Sequence, residues 1–150
     1  PRGSSDFMDD GMRGSRADAA AHAGTTAAVI IVDLVADREL SLPRQASSDP
    51  GLWARLRRSA QRVGAGAAFP DRTGGLVLDD HTPWLQRGIP AIDLIDFDYP
   101  PFHTARDDVG AVSPASLEAV GESLVDMLGR MRDDTCAGVS ADPAAGRAAS

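Results

Sequence analysis

The sequence predicts an α/β fold, because short apolar segments of strand-like composition alternate with segments of helical periodicity. Residues 27–35 (AAVIIVDLV) form a continuous apolar run rich in β-branched side chains, which is typical of a central strand buried on both faces. Residues 89–95 (IPAIDLI) predict a second buried strand. Between them, residues 49–64 place apolar side chains at helical spacing. Strand, helix and strand in this order indicate an α/β sheet with a helical crossover.

The helices are predicted from apolar stripes and from residues that favour helix ends. Ser15 and Asp49 are expected N-caps, and Pro83 suits the first turn of a short helix. The predicted helices are residues 15–23, 49–64, 82–88 and 113–131. Beyond them, the Ala-, Gly-, Asp- and Ser-rich composition lacks periodicity. We therefore expect residues 1–132 to belong to one folded domain and residues 133–150 to be a disordered tail.

Bulk composition excludes several classes of function. The 150 residues carry a net charge of −7, whereas a nucleic-acid-binding surface needs a basic patch. No apolar run approaches the roughly 20 residues that cross a bilayer, so no membrane span is predicted. The single cysteine excludes an internal disulfide. The composition, 43% hydrophobic and 25% charged, is ordinary for a soluble globular protein.

Candidate site residues follow the predicted strands. Asp33 lies near the end of the first strand, and Asp79 follows the apolar run 76–78, which we expect to end another strand. His103 lies in an acidic and aromatic loop beyond residues 89–95. Because strand ends converge at one edge of an α/β sheet, these side chains are expected to meet there. Asp33 could instead be a strand-end acid that caps a turn or reaches solvent, and a lone histidine is often structural.

Residues 74–104 also resemble a known family. The spaced pattern GxxxxDDHxPxLxxGIPxxxLI, a proline- and aromatic-rich loop and a final HT are similar to the zinc-dependent M28 peptidase family, and most of all to its glutaminyl cyclase branch. The resemblance extends over roughly residues 11–131. It implies a three-layer αβα sandwich with a mixed sheet, of which this chain would be the C-terminal half.

The resemblance implies a role for each candidate residue. His103 matches the last zinc ligand, and Asp33 and Asp79 match paired carboxylates behind a catalytic glutamate. Tyr99 and Phe102 match walls of the substrate pocket, although Phe102 replaces a tryptophan. His81 has no implied ligand role and is interpreted as a structural, hydrogen-bonding residue. In the cyclase, zinc polarises the γ-amide carbonyl of an N-terminal glutamine, the peptide amine attacks it, and ammonia leaves.

Two other functions remain open on the sequence. Aminopeptidases of the family have serine in place of Asp79, and in them Asp33 would bind a second zinc. M28-like domains also serve as non-catalytic scaffolds. The resemblance implies that the other zinc ligands and the catalytic glutamate precede this chain, so the isolated chain is expected to be inactive. It also suggests peptide or protein N-termini as substrates and a secreted or periplasmic location.

Overall fold

The structure is a computed structural model and describes residues 11–140. The described chain contains four helices and two strands, with short 3₁₀ turns at Gly66–Ala68 and Val109–Ala111. In order, the elements are α1 (Arg13–His22), β1 (Val29–Val32), α2 (Pro50–Arg62), α3 (Thr82–Leu85), β2 (Ala91–Leu94) and α4 (Pro114–Ser140). No helix in this part of the chain is long and apolar enough to span a bilayer.

β1 and β2 form a two-stranded parallel sheet. Val29 pairs with Ala91, and Val32 pairs with Leu94. Both strands fall inside the predicted segments but are only four residues long. The expected strand at residues 76–78 is wrong: this segment is extended without strand pairing, and Leu76 is 68% exposed. Its apolar residues follow two glycines, and among residues 11–140 the only paired strands are β1 and β2.

Helices cover both faces of this sheet, which confirms the α/β fold. Alternate residues of a strand point to opposite faces. Ile92 and Leu94 pack with buried residues of α2 and α4 in the larger core, whereas Ala91 packs with Ala19 of α1 and Trp84 of α3. The result is a helix–sheet–helix arrangement. The described strands are parallel, so the antiparallel part of the expected mixed sheet is not among residues 11–140.

Helix α2 forms where its sequence predicts. The Asp49 carboxylate accepts a hydrogen bond from the Leu52 N–H at 2.7 Å, and Pro50 occupies the first turn. The apolar stripe is buried, with Leu56 fully inaccessible. Gly64 follows the helix with φ +83°, a conformation that glycine adopts without steric cost.

The ends of two other helices differ from the sequence prediction. Ser15 lies inside α1, and Met12 is the N-cap residue. The Ser15 hydroxyl instead donates to the Asp80 carbonyl, a long-range contact that the sequence does not reveal.

At the other end of the chain, α4 continues to Ser140, so the boundary predicted between residues 132 and 133 lies inside a helix. In this added part of the helix, Asp134 forms an ion pair with Arg55 of α2 at 2.9 Å. Residues 141–150, the rest of the predicted tail, lie outside the described residues.

Candidate active site

Asp33 follows β1 at the carboxyl edge of the sheet. Its backbone N–H donates to the Leu94 carbonyl at 3.0 Å, which extends the sheet pairing by one residue. Its Oδ1 accepts the Leu34 N–H at 2.9 Å, and the residue is exposed. Leu34 has φ +44°, a strained backbone conformation for a side chain of this size. The strand therefore ends in a sharp turn that presents an accessible carboxylate.

Asp79 and Asp80 form a tight turn that leads into α3. Asp79 Oδ1 accepts the Asp80 N–H at 2.7 Å, and the Thr82 N–H donates to the Asp79 carbonyl at 2.7 Å. The Asp79 N–H donates in turn to Thr82 Oγ1 at 3.3 Å. Together with the bond from Ser15 to the Asp80 carbonyl, these contacts fix the turn between α1 and α3.

Asp33 and Asp79 both lie within electrostatic range of Asp80, and we name these three residues the carboxylate cluster. The pKa of Asp80 is raised. Partial burial is the largest cause, and the negative charges of Asp79 and Asp33 add to it. The structure thus brings together the two carboxylates singled out in the sequence. Crowded carboxylates bind protons with pKa values that are pushed apart, so such a cluster can accept and release a proton.

A buried pair, His81 and Asp93, lies beneath the carboxylate cluster. Both side chains are fully inaccessible, and His81 Nδ1 is 3.6 Å from Asp93 Oδ2. His81 Nε2 is hydrogen-bonded to Ser47 Oγ at 2.7 Å. Burial, together with the charges of the carboxylate cluster, raises the pKa of Asp93 to about 7. Burial lowers the pKa of His81, and the charge of Asp79 opposes this effect.

Sequence reasoning identified His81 as a hydrogen-bonding residue but did not identify Ser47 or Asp93 as its neighbours. The one signal available was Asp93 itself, an acid inside an otherwise apolar strand, since such a group needs a partner. The interaction with Ser47 spans 34 residues and has no local signature.

Asp96 anchors the loop that follows β2. It is 1% exposed, its Oδ2 accepts the Ser41 N–H at 2.7 Å, and its Oδ1 accepts the Asp98 N–H at 2.9 Å. Because both oxygens accept backbone donors, the carboxylate sets the direction in which the chain leaves the sheet. This residue was also missed in the sequence, where it is one of three acids within six residues, Asp93, Asp96 and Asp98.

The predicted pocket residues and His103 lie together in this loop. Phe102 packs edge-on against Phe97 with ring centroids 6.0 Å apart, and it stacks on the His103 ring at 3.8 Å. Tyr99 points elsewhere: its hydroxyl donates to Asp107 at 2.8 Å, and this bond raises its pKa to about 12. Tyr99 also lines a cavity of about 140 Å³ that Leu34 borders, next to Asp33.

His103 has features suited to a ligand but does not form a metal site with its described neighbours. Its side chain is exposed, and its φ of +58° is the second left-handed non-glycine conformation among residues 11–140, after that of Leu34. Within the same residues, no group of three or more His, Cys, Asp or Glu side chains could hold a metal ion. Since catalytic zinc uses three protein ligands, the described residues do not complete a zinc site. Ligation by His103, or by Asp33, stays a prediction.

Comparison with protein families finds a match to peptidase family M28 over residues 8–128. No match was found among curated protein sequences.

Solved structures give a consistent result. The chain superimposes on a glutaminyl cyclase from an Acidobacteriales bacterium with a TM-score of 0.74 and 28% identity, covering 82% of this chain and 46% of the other. A Fimbriiglobus ruber glutaminyl cyclase matches with a TM-score of 0.70 and 33% identity, covering 77% and 43%. A Zn-dependent exopeptidase from Parabacteroides distasonis shares the fold, with a TM-score of 0.70, 23% identity and coverage of 75% and 44%. The chain thus spans a little under half the length of these proteins.

Proposed function

The chain belongs to peptidase family M28, and on that basis we propose that it forms part of a glutaminyl-peptide cyclotransferase. In this reaction the α-amine of an N-terminal glutamine attacks its own γ-amide carbon. A C–N bond forms within the new pyroglutamyl ring, the original amide C–N bond breaks, and ammonia leaves. One proton must move from the attacking amine to the leaving nitrogen. The protein must therefore bind an N-terminus and handle one proton next to it.

The observation that carries this proposal is that residue 79 is an aspartate, whose charge acts together with that of Asp33 on Asp80. The family resemblance implies a serine at this position in aminopeptidases, and a serine would not add a third charge to the cluster. Partial burial, and then the charges of Asp79 and Asp33, raise the pKa of Asp80, which makes this carboxyl group easier to protonate than an isolated aspartate. The proposal uses this group and its neighbours for proton transfer. Proton transfer of this kind serves cyclisation, which needs no water molecule as nucleophile.

We extend the proposal to the loop after β2. Phe102, packed on Phe97, supplies an apolar wall for the substrate side chain, and Tyr99 borders the region near Leu34. His103 is proposed as one zinc ligand. The remaining ligands of that site would come from outside residues 11–140, because the described residues hold no group of three. Substrates would be peptide or protein N-termini, and a secreted or periplasmic location is part of the same proposal, supported by the family resemblance alone.

A metallo-aminopeptidase is the second candidate. The accessible position of Asp33 at the end of β1 is compatible with a role as ligand of a second zinc, and the fold is shared with a Zn-dependent exopeptidase. In that reaction a water molecule is the nucleophile and an amino acid, not ammonia, is released.

The test is a paired assay on the full natural protein loaded with zinc. It is incubated with a glutaminyl peptide amide and, separately, with a leucine-type aminopeptidase substrate. We expect ammonia release without amino-acid release, and loss of that activity by at least about 100-fold in Asp79→Ser, the low end of general acid–base contributions. Asp133→Ser, an exposed acid of α4, is the matched control and is expected to retain activity.

Other outcomes identify the alternatives. Amino-acid release that survives Asp79→Ser would establish the aminopeptidase and reject the cyclase. Zinc binding without either activity would reject the substrate class. A protein that binds no zinc and lacks both activities would be a scaffold.

A further inference from the structure

The pair formed by His81 and Asp93 is the least satisfied polar group in the described core. Both side chains have no accessible surface. In the described part of the chain, His81 Nδ1 and both carboxylate oxygens of Asp93 are buried without a hydrogen-bond partner within normal distance. Their nearest polar contact is each other, at 3.6 Å. An unpaired carboxylate in such surroundings is costly, so the protonation state of the pair matters for the fold and the site.

Ser47 links the tautomer of His81 to the Val77 carbonyl, because its single proton can be directed to only one of these two neighbours. Ser47 Oγ lies 3.3 Å from the Val77 carbonyl oxygen and 2.7 Å from His81 Nε2. A carbonyl can only accept, and a serine hydroxyl has one proton to donate. When that proton is directed to Val77, the serine oxygen accepts from His81, so Nε2 carries a hydrogen.

The position of the hydrogen on His81 determines which protonation state of Asp93 can form a hydrogen bond with it. A neutral imidazole with its hydrogen on Nε2 presents a lone pair at Nδ1. An ionised Asp93 would face this lone pair with a second acceptor, whereas a protonated Asp93 donates to it. Two arrangements keep Asp93 charged: an Nδ1–H tautomer of His81 that accepts the Ser47 proton at Nε2, and an imidazolium–carboxylate ion pair. Both leave an ionised carboxylate fully buried with at least one oxygen lacking a donor, and burial raises the pKa of Asp93 and lowers that of His81.

We propose that Asp93 is a neutral carboxylic acid that donates to His81, and that the uncharged chain Asp93–His81–Ser47–Val77 positions the Asp79–Asp80 turn. We call these four residues the positioning chain. Its significance for catalysis rests on the proposed function, in which Asp79 handles a proton.

Two features connect the positioning chain to the carboxylate cluster. His81 directly follows Asp80, and its carbonyl accepts the Leu85 N–H at 3.2 Å, so fixing the imidazole fixes both the turn and the start of α3. A neutral Asp93 also adds no negative charge beneath Asp33, Asp79 and Asp80, all of which act on it electrostatically.

The same connectivity, serine to histidine to aspartate, occurs in the catalytic triads of hydrolases, but the arrangement here does not favour a nucleophilic serine. A triad histidine must accept the serine proton, whereas in the proposed chain that proton is directed to the Val77 carbonyl. His81 and Asp93 are also inaccessible to any substrate.

The direct test is nitrogen NMR of the full natural protein with labelled histidine, with the His81 signals assigned through a His81→Gln variant. At about pH 6, below the Asp93 pKa of about 7, we expect a neutral His81 with its hydrogen on Nε2. An imidazolium signal, or a hydrogen on Nδ1, would overturn the proposal. Because the readout needs no substrate, this result is independent of whether the protein is a cyclase.

A matched pair of variants tests the role of the chain. Asp93→Asn keeps the shape and a donor while it removes the ionisable group, and Asp93→Leu keeps a similar volume without polar atoms. We expect Asp93→Asn to preserve the Nε2–H form of His81 and to keep kcat/KM for the glutaminyl peptide within about threefold, and Asp93→Leu to reduce kcat by tenfold or more.

Equal losses in the two variants would show that a charged Asp93 is required and would contradict the proposal. A protein without cyclase activity whose His81 still shows the neutral Nε2–H form would reject the proposed function and leave the buried chain intact.

Discussion

Asp96 offers a sharp test of how the loop carrying His103 is held. Its two oxygens accept the backbone N–H groups of Ser41 and Asp98 at 2.7 and 2.9 Å, and the side chain is 1% exposed. Hydrogen bonds to a charged acceptor contribute about 1.5–3 kcal/mol each. Asp96→Asn keeps one acceptor oxygen and directs an NH₂ group at the other donor. We therefore expect a loss of about 2–3 kcal/mol in the free energy of unfolding.

The matched control for this prediction is Asp98→Asn, two residues away on the exposed side of the same loop. Surface substitutions of this kind stay within about 0.5 kcal/mol. Urea unfolding of the full natural protein, with the midpoint and slope measured separately, provides the comparison. If Asp96→Asn and Asp98→Asn have the same unfolding midpoint as the wild type, the buried carboxylate does not hold the loop and the reasoning fails.

Three other predictions follow from the structure. In the folded protein the pKa of Asp93 is raised to about 7 from an ordinary value of 3.8. The folded state therefore binds this proton more tightly than the unfolded state, and the contribution of Asp93 to the free energy of unfolding is full at low pH. It is lost as the pH rises from about 4 to 7, by up to about 1.4 kcal/mol per pH unit. Unfolding free energies should therefore fall between pH 4 and 7 in the wild type more steeply than in Asp93→Asn; parallel curves would refute this. Leu56→Ala, at a fully buried position of α2, should cost about 2–5 kcal/mol in the same unfolding assay, and a cost below about 1 kcal/mol would contradict the packing described. Phe102→Ala should raise KM for the glutaminyl peptide by about 5–30-fold with little change in kcat, since it removes about 1–2 kcal/mol of apolar contact; an unchanged KM would exclude Phe102 from the pocket.

Local patterns in the sequence predicted the fold class and most elements. Helix α2 lies where its N-cap and apolar stripe predicted it, and both parallel strands lie inside their predicted segments. These features depend on residues a few positions apart, which is the range in which periodicity and capping act.

The errors involve contacts between distant segments. Ser15 has the chemistry of an N-cap but donates to Asp80, 65 residues away. Apolar residues 76–78 suggested a strand, but strand formation needs a neighbour that the sequence does not specify. Likewise, α4 continues past the predicted boundary, where Asp134 contacts Arg55, 79 residues earlier in the chain.

In the candidate site, too, residues at the ends of local segments were predicted and residues defined by distant contacts were not. Asp33 and Asp79 were predicted from their positions at segment ends, and the structure brings them into electrostatic range. The buried partners of His81 were not predicted, because Ser47 and Asp93 come from different elements that meet only in the folded chain. Residue types at strand ends can be recognised in a sequence, whereas buried contacts between distant residues, such as those of His81 with Ser47 and Asp93, cannot.

The most direct test of the account is the product released from a glutaminyl peptide amide by the zinc-loaded full natural protein and by its Asp79→Ser variant. We predict stoichiometric ammonia and pyroglutamyl peptide with the wild type, no free amino acid, and a loss of at least about 100-fold in the variant. Release of free glutamine, or cyclisation that persists in Asp79→Ser, would contradict the assignment of proton transfer to the carboxylate cluster.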